Sequence, residues 1–263
     1  MSDPTVEVRG LAKIFYDEAR GEVRAVDGID FDTRPGEIFG LLGANGAGKT
    51  TTLRMLATIL RPSGGTARLM GREVTEYPVA VRRSIGFYSA TTALYPKLTA
   101  RETLEFFARI NLYPEDRVAE RIDYLVDRFG IGEYQDARVE KLSSGMKQKV
   151  SIARTMAHDP PILIFDEPTV GLDVINALEM QKIIGELRDD GKTIIFSTHI
   201  MSEAEKLCDR ISIIHKGKIL ASDTLDALRD ASGRHYLEDI FVYYVSGVDE
   251  LPESIVESGR AAE

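Results

Sequence analysis

Apolar and polar positions change rhythm several times along the chain. Short extended runs at Thr5–Gly10 and Val23–Phe31, divided by the turn-rich D-E-A-R-G-E, predict a small antiparallel sheet. Glu37–Leu42 is an apolar strand leading into a glycine-rich loop, and Thr51–Leu60 continues as a helix stopped by Pro62 and the Gly64-Gly65 pair. From Thr99 to His158 the pattern is helical. Thr99-Ala-Arg-Glu102 is a capping box before L-E-F-F-A-R-I, Pro114 opens another helix, and Leu142–Met156 forms a third. The pair Phe106-Phe107 reads as core. After Pro161, strand and helix alternate at Ile162–Phe165, Val174–Leu187, Thr193–Ser197, Met201–Leu207 and Arg210–Ile214, which predicts a parallel sheet covered by helices. Lys216-Gly217 reads as a hairpin turn before a last strand, Lys218–Ala221. Helical stretches follow at Thr224–Arg229 and Tyr236–Val245, and the polar, acidic tail beyond Gly247 is expected to fray. No internal repeat interrupts this order.

Composition narrows the classes. A chain of 263 residues can bury one large core, and its net charge of −9 argues against a broad grip on nucleic acid. The single cysteine, Cys208, has no partner for an internal disulfide, which suits a reducing compartment, and it reads as a small buried hydrophobe. The N-terminal residues carry no basic-then-apolar leader pattern. No apolar run reaches the roughly 18 residues of a membrane span.

Candidate chemistry lies at the ends of strands. In G-A-N-G-A-G-K-T, Gly43, Gly46 and Gly48 let the backbone turn several N–H groups toward one centre at a helix start, which binds phosphate. Lys49 would reach the β- and γ-phosphates, and the Thr50 hydroxyl would ligate Mg²⁺. Asp166 and Glu167 close the strand I-L-I-F at the carboxyl edge of the sheet, where ligands of such sheets bind. Asp166 suits a carboxylate holding Mg²⁺ through a water, and Glu167 a general base for the attacking water. Thr198-His199 follows its strand in the same way, placing a histidine where it can contact a γ-phosphate. His158, His215 and His235 read as surface or packing residues.

Leu142-Ser143-Ser144-Gly145-Met146 is by itself only a helix start with capping serines. It stands between the phosphate loop and the Asp-Glu strand, and this ordered set resembles the ATP-binding subunits of ABC transporters over roughly Val6 to Ala221. Phe15 or Tyr16 matches the adenine-stacking aromatic, and Gly43–Thr50 matches Walker A. Leu142–Met146 matches the signature, Asp166-Glu167 Walker B, Gly171-Leu172-Asp173 the D-loop and His199 the switch histidine.

The resemblance implies an α/β fold: a RecA-like P-loop core, an antiparallel side sheet and a helical subdomain inserted near residues 88–158. The ATPase domain would span 1–235, with a short C-terminal helix and acidic tail over 236–263. It implies that Gly43, Asn45, Gly46, Ala47, Gly48, Lys49, Thr50 and Thr51 hold ATP and Mg²⁺. It further implies a head-to-tail dimer, homomeric or with a similar ATPase, in which Ser143, Ser144 and Gly145 of one copy face the ATP of the other. The partner would be an integral-membrane permease on a separate chain, at the cytoplasmic face of the membrane, with no nucleic acid involved.

Two departures stand out. Ser144 and Met146 replace the glycine and glutamine usual in the signature. In I-G-F-Y-S-A-T-T-A-L-Y-P-K-L-T, Ala90 stands where the family has a glutamine that contacts Mg²⁺, leaving Thr91, Thr92 or a water to substitute. That segment and the closing Y-L-E-D-I-F-V-Y-Y-V-S-G resemble an exporter group that includes NatA-type subunits associated with sodium efflux. The rival expectation is a soluble ABC-type assembly ATPase, as in iron–sulfur cluster assembly. A DNA-repair or ribosome-associated ABC protein fits less well, because long coiled-coil insertions and a second cassette are missing.

Overall fold

The computed structural model describes residues 3–18, 21–89 and 92–247. From the N-terminus the chain runs through β1 (Val6–Asp17), β2 (Gly21–Thr33), β3 (Ile38–Leu42), α1 (Lys49–Leu56), β4 (Gly64–Leu69), β5 (Arg72–Glu73), α2 (Pro78–Ser84) and β6 (Ile85–Ser89). It continues with α3 (Ala100–Ile110), α4 (Val118–Arg128), α5 (Ser144–Thr155), β7 (Ile162–Asp166), α6 (Val174–Asp189), β8 (Thr193–Thr198), α7 (Met201–Leu207), β9 (Arg210–His215), β10 (Lys218–Asp223), α8 (Leu225–Ser232) and α9 (Leu237–Ser246).

Two sheets result, and they differ in how their strands are buried. A six-stranded sheet has the order β10-β9-β3-β8-β7-β6, parallel except for β10 at its edge. Its central strands β3, β7 and β8 are buried at every position. Successive side chains point to opposite faces, so each strand feeds two cores. On one face Leu163, Phe165, Ile194 and Phe196 pack under α3, α4, α5 and α6. On the other, Ile162, Ile164 and Ile195 join Leu53 and Leu56 of α1 and Val6, Val8 and Leu11 of β1. Ile211 and Ile213 of β9 pack with Leu228, Leu237 and Ile240 of α8 and α9. Full burial of each Phe or Ile contributes about 1.5–3 kcal/mol, so the strands anchor the cores on both faces of the sheet.

The second sheet, β2-β1-β4-β5, is antiparallel. Only part of it was expected. β1 and β2 pair as anticipated but extend well past Gly10 and back to Gly21. The Gly64-Gly65 pair, expected only to end a helix, instead opens β4, which pairs with β1. Gly65 has φ +73°, and a Cβ there would lie 2.1 Å from the Gly10 carbonyl oxygen, so the close strand contact requires glycine. α1 starts and stops earlier than Thr51–Leu60: Ile59 and Leu60 both donate to the Arg54 carbonyl, and Thr58 takes a positive φ of 60°.

The Thr99 capping box forms, with Glu102 N donating to Thr99 Oγ1 at 3.1 Å and Thr99 N to Glu102 Oε2 at 2.8 Å. Phe107 packs on the helical core, but Phe106 is 39% exposed and meets Tyr95 edge-on, so the pair is only half a core element. Lys216 and Gly217 both take positive φ, as a two-residue hairpin turn requires. Cys208 packs between two cores beside Gly40, and burial pushes its thiol pKa up. His158 is a packing residue, with Nε2 3.0 Å from the Ile85 carbonyl oxygen. Ala90, Thr91 and the tail beyond Gly247 lie outside the described residues.

Candidate functional site

β3, β7 and β8 lie side by side, and their carboxyl ends bring together segments far apart in sequence. Leu42 pairs with Thr198, and Asp166 with Ser197, so the loops after these strands meet at one edge. Gly43 N donates to the Thr198 carbonyl at 3.3 Å, fastening the start of the glycine loop to the end of β8.

The loop wraps a positive charge. Lys49 Nζ donates to the carbonyls of Gly43 at 2.6 Å and Ala44 at 3.1 Å, and its side chain is buried. Gly46 and Gly48 adopt φ of 81° and 112°; a Cβ on Gly48 would fall 2.5 Å from the Ala25 carbonyl oxygen. No bond from the amides of Asn45, Gly46, Gly48, Lys49, Thr50 or Thr51 is made among the described residues. Ala47 N turns back to Ala44 O at 3.1 Å, which closes the loop. Free amides at a helix start, next to an ammonium, suit a polyphosphate.

The carboxylates complete the edge. Asp166, buried at the end of β7, accepts from Thr50 Oγ1 at 3.0 Å and from Ser197 Oγ at 2.9 Å through the same oxygen. Glu167 turns out of the strand with φ +48°, a conformation unusual for a side-chain-bearing residue. Its N–H is held by the Ser197 carbonyl at 3.2 Å and by Ser197 Oγ at 3.1 Å. Thus turned, Glu167 Oε1 lies 3.0 Å from Lys49 Nζ and 3.3 Å from His199 Nδ1. The histidine contact lacks the alignment of a hydrogen bond. Burial pushes the Glu167 carboxyl pKa up, but the Lys49 hydrogen bond and charge and the His199 contact outweigh it, holding it below the usual range. The group is an ionised proton acceptor at neutral pH.

The hydroxyl of Thr50 and the carboxylate of Asp166 are hard oxygen donors that converge within 3.0 Å, a donor set that fits Mg²⁺. Ser197 was not singled out in the sequence. It orients both Asp166 and Glu167, and its only signal, a small polar residue ending a buried strand, is too common to read.

The other expected site residues stand apart. Ser143 caps α5, accepting from Met146 N at 3.3 Å, and no hydrogen bond or ion pair among the described residues joins Ser143–Gly145 to the phosphate loop. Gly145 instead faces Asn176, whose N–H and side chain bond Asp173 at the cap of α6. The start of α5 and the cap of α6 are thus neighbours within one chain. Ser144 borders a cavity of about 450 Å³ with Tyr88, Thr92 and Gln148, and Met146 packs on the helical core. Phe15 and Tyr16 lie near the end of β1. Tyr16 is 83% exposed, and Lys13 Nζ sits 5.2 Å over the Phe15 ring. Neither ring touches the phosphate loop through a described contact.

The sequence profile of the family described as "ABC transporter" matches residues 26–170, a little over half of the chain. The chain belongs to the ABC transporter family. Among its ATP-binding subunits, the chain is similar to the NatA protein of Bacillus subtilis, at 39% identity over 86% of this chain and 93% of that one. It is likewise similar to the daunorubicin/doxorubicin resistance protein DrrA of Streptomyces peucetius, at 39% identity over 88% of this chain and 69% of the relative. A solved ATP-binding subunit of an ABC transporter superposes with TM-score 0.82 at 30% identity, covering 92% of this chain and 99% of its own. The ATP-binding cassette MJ0796, solved as a dimer after hydrolysis with ADP and phosphate bound, gives TM-score 0.75 at 25% identity, covering 84% and 98%. The ABC ATPase fold and the activity of an ATP hydrolase follow from this membership.

Proposed function

We propose that this ABC ATPase is the motor subunit of an exporter whose membrane-spanning part is a separate chain. The observation that carries the site assignment is the convergence of Lys49, Glu167 and His199 beside the Thr50–Asp166 pair at one sheet edge. ATP phosphates would take the amides of Asn45, Gly46 and Gly48 to Thr51, with Lys49 exchanging its carbonyl contacts for the β- and γ-phosphate oxygens. Thr50 and Asp166 would hold Mg²⁺, which when bound would offset phosphate charge. Glu167 would accept a proton from the attacking water, and His199, 3.3 Å from that carboxylate, would contact the γ-phosphate.

A second copy supplies what the site lacks. Ser143, Ser144 and Gly145 of that copy would close over the γ-phosphate with a helix start, so ATP joins the two subunits and hydrolysis separates them. The dimeric MJ0796 cassette supports this reading, as does an apolar strip beside the D-loop, where Val174 and Ile175 are 75% and 78% exposed. The adenine would stack on Phe15 or Tyr16.

Export is supported by relatives whose names refer to drug resistance or to Nod factor export; sodium efflux is the narrower reading suggested by likeness to NatA-type subunits. No helix among the described residues is long and apolar enough to cross a membrane, so the pore would belong to a permease that holds the subunit at the cytoplasmic face. Tagged protein drawn from gently solubilised native membranes should bring down a multi-span protein in stoichiometric amount. Recovery only with soluble partners would contradict the transporter assignment and leave the ATPase.

A further inference from the structure

Behind the switch histidine lies a buried polar chain that the reaction scheme above does not use. Glu203 in α7 is 4% exposed, and no cation within salt-bridge distance accompanies it among the described residues. Its Oε2 accepts from Thr198 Oγ1 at 2.8 Å, and its Oε1 accepts from Gln181 Nε2 at 3.4 Å. The Thr198 hydroxyl in turn accepts from Ile200 N at 3.0 Å. Thr198 also offers its carbonyl to Gly43 N at 3.3 Å. Thr198 and Ile200 flank His199, so the hydroxyl closes the turn that carries the imidazole. A carboxylate buried without a counter-charge is costly, and the Thr198 hydroxyl and the Gln181 side-chain amide both donate to Glu203 there. With its proton committed to Glu203, the Thr198 hydroxyl presents only lone pairs to Ile200 N–H, which fixes the turn in one form.

We propose that Glu203 and Thr198 are positioning residues for ATP hydrolysis, holding His199 against Glu167. Gln181 extends the same chain to α6, the helix capped by Asp173 of the D-loop. A movement of α6 therefore reaches His199 through three side chains. The inference rests on the assignment of His199 to the reaction.

The test measures MgATP hydrolysis by the purified chain. Thr198→Val keeps the shape and removes the hydroxyl; kcat should fall about tenfold, the loss expected for one hydrogen bond to a charged group, with KM for ATP within about twofold. Thr198→Ser restores most of the rate. Glu203→Gln, which keeps one acceptor, falls between the two. In a His199→Ala background, Thr198→Val should cause no further loss, because the hydroxyl acts through the imidazole. Additive losses, a rise in KM alone, or full activity in Thr198→Val would overturn the proposal. Full activity in His199→Ala would overturn the histidine assignment as well. A loss there with full activity in Thr198→Val removes only the present inference.

Discussion

Lys49 Nζ sits 3.0 Å from Glu167 Oε1, while two loop carbonyls at 2.6 and 3.1 Å take its other protons. A buried ammonium thus joins the phosphate loop to the carboxylate after β7. The two residues are separated by 118 positions, yet the Lys49 ammonium helps hold the Glu167 carboxyl below its usual range. Lys49→Ala removes an ammonium that would meet the phosphates and that helps hold Glu167 below its usual range. ATP affinity should fall about 30-fold or more, as expected when a charged hydrogen-bond partner is lost. Equilibrium binding of a fluorescent ATP analogue reads this directly; unchanged affinity would show that phosphate binds elsewhere.

Thr50→Val tests the metal assignment. Its hydroxyl bonds Asp166, and the variant keeps the side-chain shape. The Mg²⁺ concentration for half-maximal hydrolysis should rise about tenfold, on the order of one lost ligand interaction, with nucleotide binding in EDTA retained. An unaltered Mg²⁺ dependence contradicts the pairing of Thr50 with Asp166 as the metal site.

Acid sensitivity has a specific source in His158. Burial pushes its pKa down to about 4, from the 6.5 of a free imidazole. The unfolded chain therefore binds a proton more readily than the native one. The stabilising contribution of the neutral ring is complete above pH 6.5 and is lost as pH falls toward 4, by about 3 kcal/mol in total. His158→Gln keeps a donor for the Ile85 carbonyl and removes the titration. Denaturant unfolding between pH 7 and pH 4.5 should show a shallower loss of stability in the variant. Parallel curves would rule out His158 as the titrating group.

Much of this was legible because buried strands carry strong local signals. The apolar run Ile162–Phe165 predicted β7, and Met201–Leu207 was placed at its observed bounds. The phosphate loop, Asp166-Glu167 and His199 each follow a strand, and a parallel sheet sends such ends to one edge. The strands β4, β5 and β6 and helix α2 carry no comparable signal in the sequence. β4 buries only Ala67 and Leu69, and its glycines serve the approach to β1, a contact that only the fold supplies. Ser197 and Glu203 act through hydrogen bonds to residues that other elements bring near, and nothing in their own neighbourhood marks them. An apolar pair such as Phe106-Phe107 reads as core, but adjacent helical positions lie about 100° apart and only Phe107 faces inward.

Gly86 offers a test of how the helical subdomain is seated. A Cβ there would lie 2.2 Å from the Thr155 carbonyl oxygen, at the end of α5. Gly86→Ala should destabilise by about 1–3 kcal/mol through forced separation of α5 from β6. Because α5 begins at Ser144, ATP-dependent dimerisation should weaken alongside. A variant as stable as the parent would mean that α5 can shift freely on the sheet.

The most direct test of the central claim is the ATPase rate of Glu167→Gln, with oligomeric state followed in the same samples. Turnover should drop about 10²–10⁴-fold, or roughly 3–5 kcal/mol of barrier, while ATP affinity is kept. A dimer should then accumulate with MgATP, because the step that separates the subunits is blocked. Undiminished turnover, or a monomer with ATP bound, would contradict Glu167 as the proton acceptor and ATP as the link between subunits.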